Sequence, residues 1–146
     1  MFQSIVIGTD GSDTAREAVR QAVELASQWG ARVHIVSAYQ PLRGVRVAGG
    51  QDAAERAEWR VGPDVGVESV LAEAVGACHA RGVDAESYAR EGDPAEAVLQ
   101  VADEQGADVV IVGSKGMTGS RRFLLGSVPD KISHHAPCAV LIVKTA

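Results

Sequence analysis

The residues best suited to chemistry in this sequence are glycines that follow a run of apolar residues. Residues 109–112 are all β-branched, which is typical of a strand buried on both faces, and Gly113, Gly116 and Gly126 come after them. Glycine allows the main chain to approach a ligand closely. Ser127 then begins a predicted helix, whose first N–H groups lack partners and lie at the positive end of the helix dipole. This combination predicts a binding site for an anion, with phosphate as the obvious candidate.

A second polar turn follows the first predicted strand, which spans residues 4–8. It contains Asp10, Gly11 and Ser12, and either Gly11 or Ser12 could cap the helix that comes next. The Asp10 carboxylate could accept hydrogen bonds from the hydroxyl groups of a ligand, or it could only help to cap that helix. The two turns form a single site only if the fold brings them together.

Apolar patterns predict five strands that alternate with four helices. The other strands are predicted at residues 33–38, 83–90, 109–112 and 139–143, and the helices at residues 15–29, 67–78, 94–105 and 127–135. Such alternation favours an α/β fold with an open parallel sheet and helices on both faces. In these sheets ligands bind beyond the carboxyl ends of strands where the strand order reverses, and both polar turns follow strand ends.

Two of the predicted strands differ in their expected exposure. Residues 83–90 alternate between apolar and polar side chains, which is typical of a half-solvated strand near a sheet edge. Residues 139–143 are apolar throughout and are predicted to form a buried strand. Residues 40–63 are interrupted by glycine and proline and predict no clear element, except for a short helix at residues 52–60.

Chain length and charge limit the range of functions. The 146 residues fit a single domain, which we place at residues 1–146, and the net charge of −5 argues against a general binder of nucleic acid or anionic membranes. Affinity for phosphate must therefore come from local groups. Cys78 and Cys138 show no metal-binding spacing, and no apolar run approaches membrane-spanning length. We expect a cytoplasmic protein with reduced thiols that binds neither nucleic acid nor membranes.

Several known motifs for phosphate chemistry and hydrolysis are absent from the sequence. It contains neither the Walker pattern G-x4-G-K-S/T nor the dinucleotide pattern G-x-G-x2-G, and it lacks the G-x-S-x-G turn of a hydrolase. A phosphoacceptor receiver domain needs an aspartate at the end of its third strand, where this chain has Tyr-Ala-Arg at residues 88–90. The pattern that remains is G-x2-G-x9-G-S, which begins at Gly113.

This remaining pattern matches the G-x2-G-x9-G-S/T motif of the nucleotide-binding universal stress proteins. The chain also resembles this family in its first strand and turn, residues 5–12, and in its ending, residues 126–143. The resemblance covers the chain apart from residues 40–63. It implies a Rossmann-like sheet of the HUP type with strand order 3-2-1-4-5. It further implies that ATP or a related adenine nucleotide is bound, with a regulatory role in the stress response.

The resemblance implies roles for individual residues around the base and the sugar. Ala38, at the end of the second strand, is expected to contact the adenine through main-chain groups. Asp10 is expected to lie against the ribose, with Gly8 and Thr9 beside it. A carboxylate accepts hydrogen bonds from hydroxyl groups, so the chemistry of Asp10 agrees with this role.

Further residues are expected near the phosphates. Val112 and Gly113 would flank the sugar and the first phosphate. The residues expected to hold the phosphate chain, through main-chain N–H groups and side chains, are Lys115, Gly116, Gly126, Ser127 and Val128. Lys115 could equally belong to a solvated loop, and the glycines could simply end a strand and begin a helix.

The sequence leaves three other functions open. The ligand could be cyclic AMP, since some members of the resembled family bind it. The protein could be a slow ATPase that uses Mg²⁺ held by the nucleotide phosphates. In that case the sequence offers no clear general base, and we predict no catalytic residue and no metal ligand from the protein. It could also be an interaction module whose glycine loop is purely structural.

The resemblance also implies a homodimer, in which the strand Ala139–Val143 pairs with its copy in a second chain. An apolar strand at a sheet edge is a template for association, so physical chemistry leads to the same expectation. The expected partners are therefore an adenine nucleotide and a second copy of the chain.

Overall fold

The computed structural model describes residues 2–40, 65–114 and 125–145. In these residues five strands alternate with four helices, in agreement with the sequence pattern. The elements are β1 (Ser4–Gly8), α1 (Asp13–Trp29), β2 (Arg32–Tyr39), α2 (Val65–Ala80), β3 (Ala85–Glu91), α3 (Pro94–Glu104), β4 (Val109–Gly113), α4 (Ser127–His135) and β5 (Ala139–Val143). The short helix predicted at residues 52–60 lies outside the described residues.

The strands form one parallel sheet in the order β3-β2-β1-β4-β5. This confirms the predicted fold class and strand order. From β1 the chain winds outward to β2 and β3, and it then crosses back to place β4 on the other side of β1. The strand order therefore reverses between β1 and β4, and the carboxyl ends of these two strands mark the place where such sheets bind ligands.

Two apolar layers cover the opposite faces of the sheet. Side chains alternate along a strand, so Ile5 and Ile7 of β1 pack with α1 and α2, whereas Val6 packs with α3 and α4. β1 and β4 are buried on both faces, which explains why their sequences are apolar without interruption. None of the described helices is long and apolar enough to cross a membrane.

The helix ends follow the capping residues of the sequence. The Ser12 hydroxyl group caps α1, and Gly30 ends this helix in the left-handed region at a φ of 66°. Asp93 caps α3 by accepting a hydrogen bond from the N–H of Glu96 at 3.0 Å. Glu96 lies at the position from which a glutamate can complete a capping box, but its carboxylate pairs with Lys131 of α4 at 3.1 Å.

The prediction that the last strand is buried was wrong. Leu141 and Ile142 of β5 are 36% and 40% exposed, and only Val143 is buried in this strand. β5 lies at the edge of the sheet with β4 as its single neighbour, so apolar residues need not be covered within one chain. The half-solvated strand predicted at residues 83–90 corresponds to β3, which forms the opposite edge.

Candidate functional site

A cleft opens over the carboxyl ends of β1 and β4, where the strand order reverses. Both polar turns that the sequence singled out contribute to it. The residues of the predicted site that line this cleft are Gly8, Thr9, Asp10, Ala38, Val112, Gly113 and Val128. The parallel sheet thus brings together residues that are more than 100 positions apart in the chain.

Packing by itself favours glycine at two positions in the cleft. A Cβ atom on Gly8 would lie 2.8 Å from Cγ2 of Val98 in α3, which is closer than side chains tolerate. A Cβ atom on Gly113 would lie 3.2 Å from Cγ2 of Thr145 and 3.6 Å from Cβ of Ala18. Packing therefore explains glycine at these two positions, whether or not either glycine also contacts a ligand.

The Asp10 carboxylate is oriented by its own turn. Its Oδ1 atom accepts a hydrogen bond from the Ser12 N–H at 3.0 Å, whereas the cap of α1 is the hydroxyl group of Ser12. The idea that Asp10 serves only as the cap is therefore excluded. The Oδ2 atom has no hydrogen-bond partner among the described residues. Since Asp10 lines the cleft, this oxygen can accept a hydrogen bond from a hydroxyl group of a ligand.

The main chain of Ala38 offers a donor and an acceptor to the cleft. The last hydrogen bond between β1 and β2 joins the Thr9 N–H to the Val36 carbonyl at 2.9 Å. Successive residues of a strand direct their polar groups alternately to its two neighbours, so those of Ala38 point past the end of β1. No backbone bond joins them on that side to another residue in the described ranges. The adjacent N–H and C=O groups of Ala38 can therefore form two hydrogen bonds with the edge of a heterocyclic ring.

The N-terminus of α4 differs from those of α1 and α3. The first turns of α1 and α3 are capped by the side chains of Ser12 and Asp93. The hydrogen bond from the Glu96 N–H and the nearby Lys131 lower the pKa of Asp93, which keeps an anionic group at the start of α3. The cap residue of α4 is Gly126, which provides no side-chain hydrogen bond. Of these three described helix starts, that of α4 alone has no side-chain cap and leaves its first turn to an external anion.

Few donors are available at the start of α4. The Gly126 N–H already donates to the Ser114 carbonyl at 3.1 Å, and Pro129 has no N–H group. The N–H groups of Ser127 and Val128 remain, together with the Ser127 hydroxyl group. Two N–H groups and a hydroxyl group converging at a helix N-terminus can bind one phosphate group.

Four predicted site residues are not among the described residues that line the cleft. Gly126 and Ser127 are not part of the cleft lining, but they directly precede Val128, which is. Lys115 and Gly116 lie outside the described residues. The prediction that they contact phosphate therefore stays a prediction.

The cleft includes a second apolar part that the sequence did not predict. Beside Asp10 and Ala38 it reaches Val67 and Val70 of α2. Gly11 has a φ of 80°, and a Cβ atom there would lie 2.6 Å from Cγ2 of Val70, so glycine permits this close approach. The apolar spacing of α2 predicted only that these valines face the core. Other lining residues that were not predicted to contact a ligand are Ser12, Ala15, Ala18, Val36, Pro94, Val98, Pro129 and Ile132.

The described part of the cleft carries little charge. Of the described residues that line it, Asp10 alone carries a charge. The described part of the chain holds no cluster of three or more side chains that could ligate a metal ion.

Comparison with known proteins identifies the family. The model of the universal stress protein family matches residues 1–144. A universal stress protein of Mycobacterium tuberculosis is 34% identical over 145 residues, which cover 99% of this chain and 97% of that protein. The universal stress protein YxiE of Bacillus subtilis is 32% identical over 148 residues, which cover 99% of this chain and all of that protein.

Solved structures agree with this result. A universal stress protein crystallised in complex with cAMP is 32% identical, with a TM-score of 0.74 over 99% of this chain and 98% of that one. UspA from Lactobacillus plantarum is 17% identical and has a TM-score of 0.76 over 97% of each chain, which shows a common fold. The chain therefore belongs to the universal stress protein family.

Proposed function

We propose that this protein binds an adenine nucleotide in the cleft between β1 and β4 and acts as a regulatory protein in a stress response. One observation carries the proposal. Three kinds of polar group border the same region of the fold. They are the main-chain donor and acceptor of Ala38, the free carboxylate oxygen of Asp10, and the uncapped N–H groups of Ser127 and Val128. These groups correspond to the needs of a base, a ribose and a phosphate.

The base would lie at the end of β2. Adenine presents a ring nitrogen that accepts a hydrogen bond next to an amino group that donates one. This edge complements the N–H and C=O groups of Ala38. Val67 and Val70 on α2 provide an apolar surface nearby, on which a flat ring can be buried.

The sugar and the phosphate would extend from there towards α4. The ribose hydroxyl groups would donate to Oδ2 of Asp10, whose position is fixed by the Ser12 N–H. The phosphate would accept hydrogen bonds from Ser127 and Val128, where the helix dipole favours an anion.

ATP is the leading ligand, and cyclic AMP is a second candidate that two observations favour. The donors described at the start of α4 suffice for one phosphate group, and a relative that is 32% identical was crystallised with cAMP. A triphosphate would need further donors, for which Lys115 and Gly116 are the proposed residues. Mg²⁺ would then be held by the phosphates.

Calorimetric titration with ATP, cyclic AMP and adenosine tests the proposal. We expect saturable heat with at least one of the two nucleotides and weaker binding of adenosine, because the nucleoside lacks the phosphate. A folded protein that gives no heat with any of the three at millimolar concentration would refute the proposal. A slow Mg²⁺-dependent ATPase is the enzymatic alternative, and it requires ATP turnover that is lost in the variant Asp10→Ala.

We also propose a homodimer in which β5 pairs with its copy. β5 is an outer strand with exposed Leu141 and Ile142, and its free edge can form a continuous sheet across two chains. The opposite edge, β3, carries the charged residues Glu86 and Arg90, which disfavour pairing there. The free thiols of Cys78 and Cys138 agree with the further proposal of a cytoplasmic location.

A further inference from the structure

Ser114 joins three parts of the fold by hydrogen bonds. Its N–H donates to the carbonyl of Val143, the last residue of β5, at 2.7 Å. Its hydroxyl oxygen accepts from the N–H of Thr145 at 3.2 Å. Its carbonyl accepts from the N–H of Gly126 at 3.1 Å. Ser114, which directly follows β4, thus connects the end of β5, the residues that follow it and the cap residue of α4.

Thr145 is held beside Gly113 by this network. Its Cγ2 methyl group packs against Gly113, while its Oγ1 atom is buried without a hydrogen-bond partner within the described ranges. An unpaired buried hydroxyl group destabilises the position of the residue that carries it. Other contacts must therefore keep Thr145 in place, and the hydrogen bond to Ser114 is one of them.

The position of Gly126 determines where the first N–H groups of α4 point. The Gly126 carbonyl accepts the first helical hydrogen bond, from the Asp130 N–H at 3.0 Å. On the other side of the same residue, the N–H is held by Ser114. The donors of Ser127 and Val128 come directly after this fixed point, so their direction follows from it.

We infer that Ser114 is a positioning residue for the phosphate end of the proposed site. It fixes the uncapped end of α4 to the end of β4, and its own position depends on the hydrogen bond from Thr145. The inference rests on the proposed nucleotide binding and adds a residue that the glycine motif does not include. Lys131 also links α4 to α3, through Asp93 and Glu96, but these pairs are exposed and contribute little.

The inference predicts an effect that is specific to phosphate. Binding of an anion by main-chain dipoles depends steeply on their distance and direction. A nucleoside would use Ala38 and Asp10, which do not belong to this network. Removing the hydrogen bond between Thr145 and Ser114 should therefore weaken the binding of a nucleotide and leave the binding of adenosine unchanged.

Two substitutions remove the same hydrogen bond from opposite sides. Ser114→Ala deletes the accepting oxygen, and Thr145→Pro deletes the donating N–H. We expect each variant to bind cyclic AMP on the order of threefold more weakly in calorimetry, as for the loss of one hydrogen bond. The double variant should be no weaker than either single one. Thr145→Val keeps both the N–H and the methyl group, and it should bind cyclic AMP like the original protein.

The possible results separate this inference from the proposed function. Unchanged affinity for cyclic AMP, an equal loss for adenosine, or losses that add in the double variant would each overturn the role of Ser114. If one variant fails to fold, the other still tests the same hydrogen bond. If the original protein binds neither cyclic AMP nor ATP, the proposed function itself fails.

Discussion

The Nδ1 atom of His34 in β2 lies 2.9 Å from the phenolic oxygen of Tyr88 in β3. Tyr88 has a single proton, and its hydroxyl group donates to the Glu86 carboxylate at 2.8 Å. His34 must therefore donate through Nδ1, so the neutral imidazole carries its proton on that nitrogen and leaves Nε2 unprotonated. Burial lowers the pKa of His34, which is 4% exposed; Arg32 lowers it further, and Glu86 partly opposes this.

This arrangement predicts that the fold loses stability in mild acid. The folded-state pKa of His34 lies below the unfolded value of about 6.5, so the unfolded chain binds a proton more readily. The stabilising contribution of neutral His34 is complete above that pH and is lost as the pH falls through the folded pKa. Urea unfolding between pH 8 and pH 5 should show this decline, and it should be smaller in His34→Gln. Equal slopes in the two proteins would contradict the prediction.

Asp10 should determine the affinity for the sugar. Asp10→Asn keeps an oxygen for the Ser12 N–H but removes the charge, so the turn should persist while nucleotide affinity falls by about tenfold or more. Calorimetry with adenosine and with an analogue that lacks both ribose hydroxyl groups provides the control. The analogue should bind weakly and equally to both proteins. If Asp10→Asn weakens the analogue as much as adenosine, Asp10 does not contact the ribose.

Gly8 should be intolerant of a methyl group because of α3. Gly8→Ala places a Cβ atom 2.8 Å from Val98, and we expect a loss of about 1–3 kcal/mol in the free energy of unfolding. Combining it with Val98→Ala should cost less than the sum of the two single losses. Gly76→Ala is the matched control, since no atom lies within 4 Å of its Cβ in α2. It should stabilise the protein by about 1 kcal/mol.

Charge on the β5 edge should prevent association. Leu141→Lys introduces an ammonium group into the exposed apolar surface of β5, and light scattering at micromolar concentration should then give the mass of a monomer. Ser87→Lys adds the same charge to the exposed face of β3 at the opposite edge. This control should remain dimeric. A monomeric mass for the original protein, or a dimeric mass for Leu141→Lys, would contradict pairing through β5.

The sequence by itself determined the fold class. Strand period, helix period and capping are local properties that depend on a few neighbouring residues. The sequence therefore shows the apolar runs of β1 and β4, the glycine after α1 and the aspartate before α3. Once five strands alternate with four helices, right-handed connections leave few sheet orders. Of the candidate site, this reasoning identified the turns at Asp10 and Gly113, and the family resemblance added Val128; all three line the cleft.

Tertiary structure decided the contacts between distant parts of the chain. Val70 of α2 reaches the cleft because Gly11 allows a close approach, and His34 donates through Nδ1 because Tyr88 lies on the neighbouring strand. The Gly126 N–H is not a free donor, because it donates to the Ser114 carbonyl. β5 is exposed because it is the last strand of the sheet. None of these relations leaves a periodic signal in the sequence. Each depends on which side chains meet after the helices pack on the sheet, and that packing joins residues through space rather than along the chain.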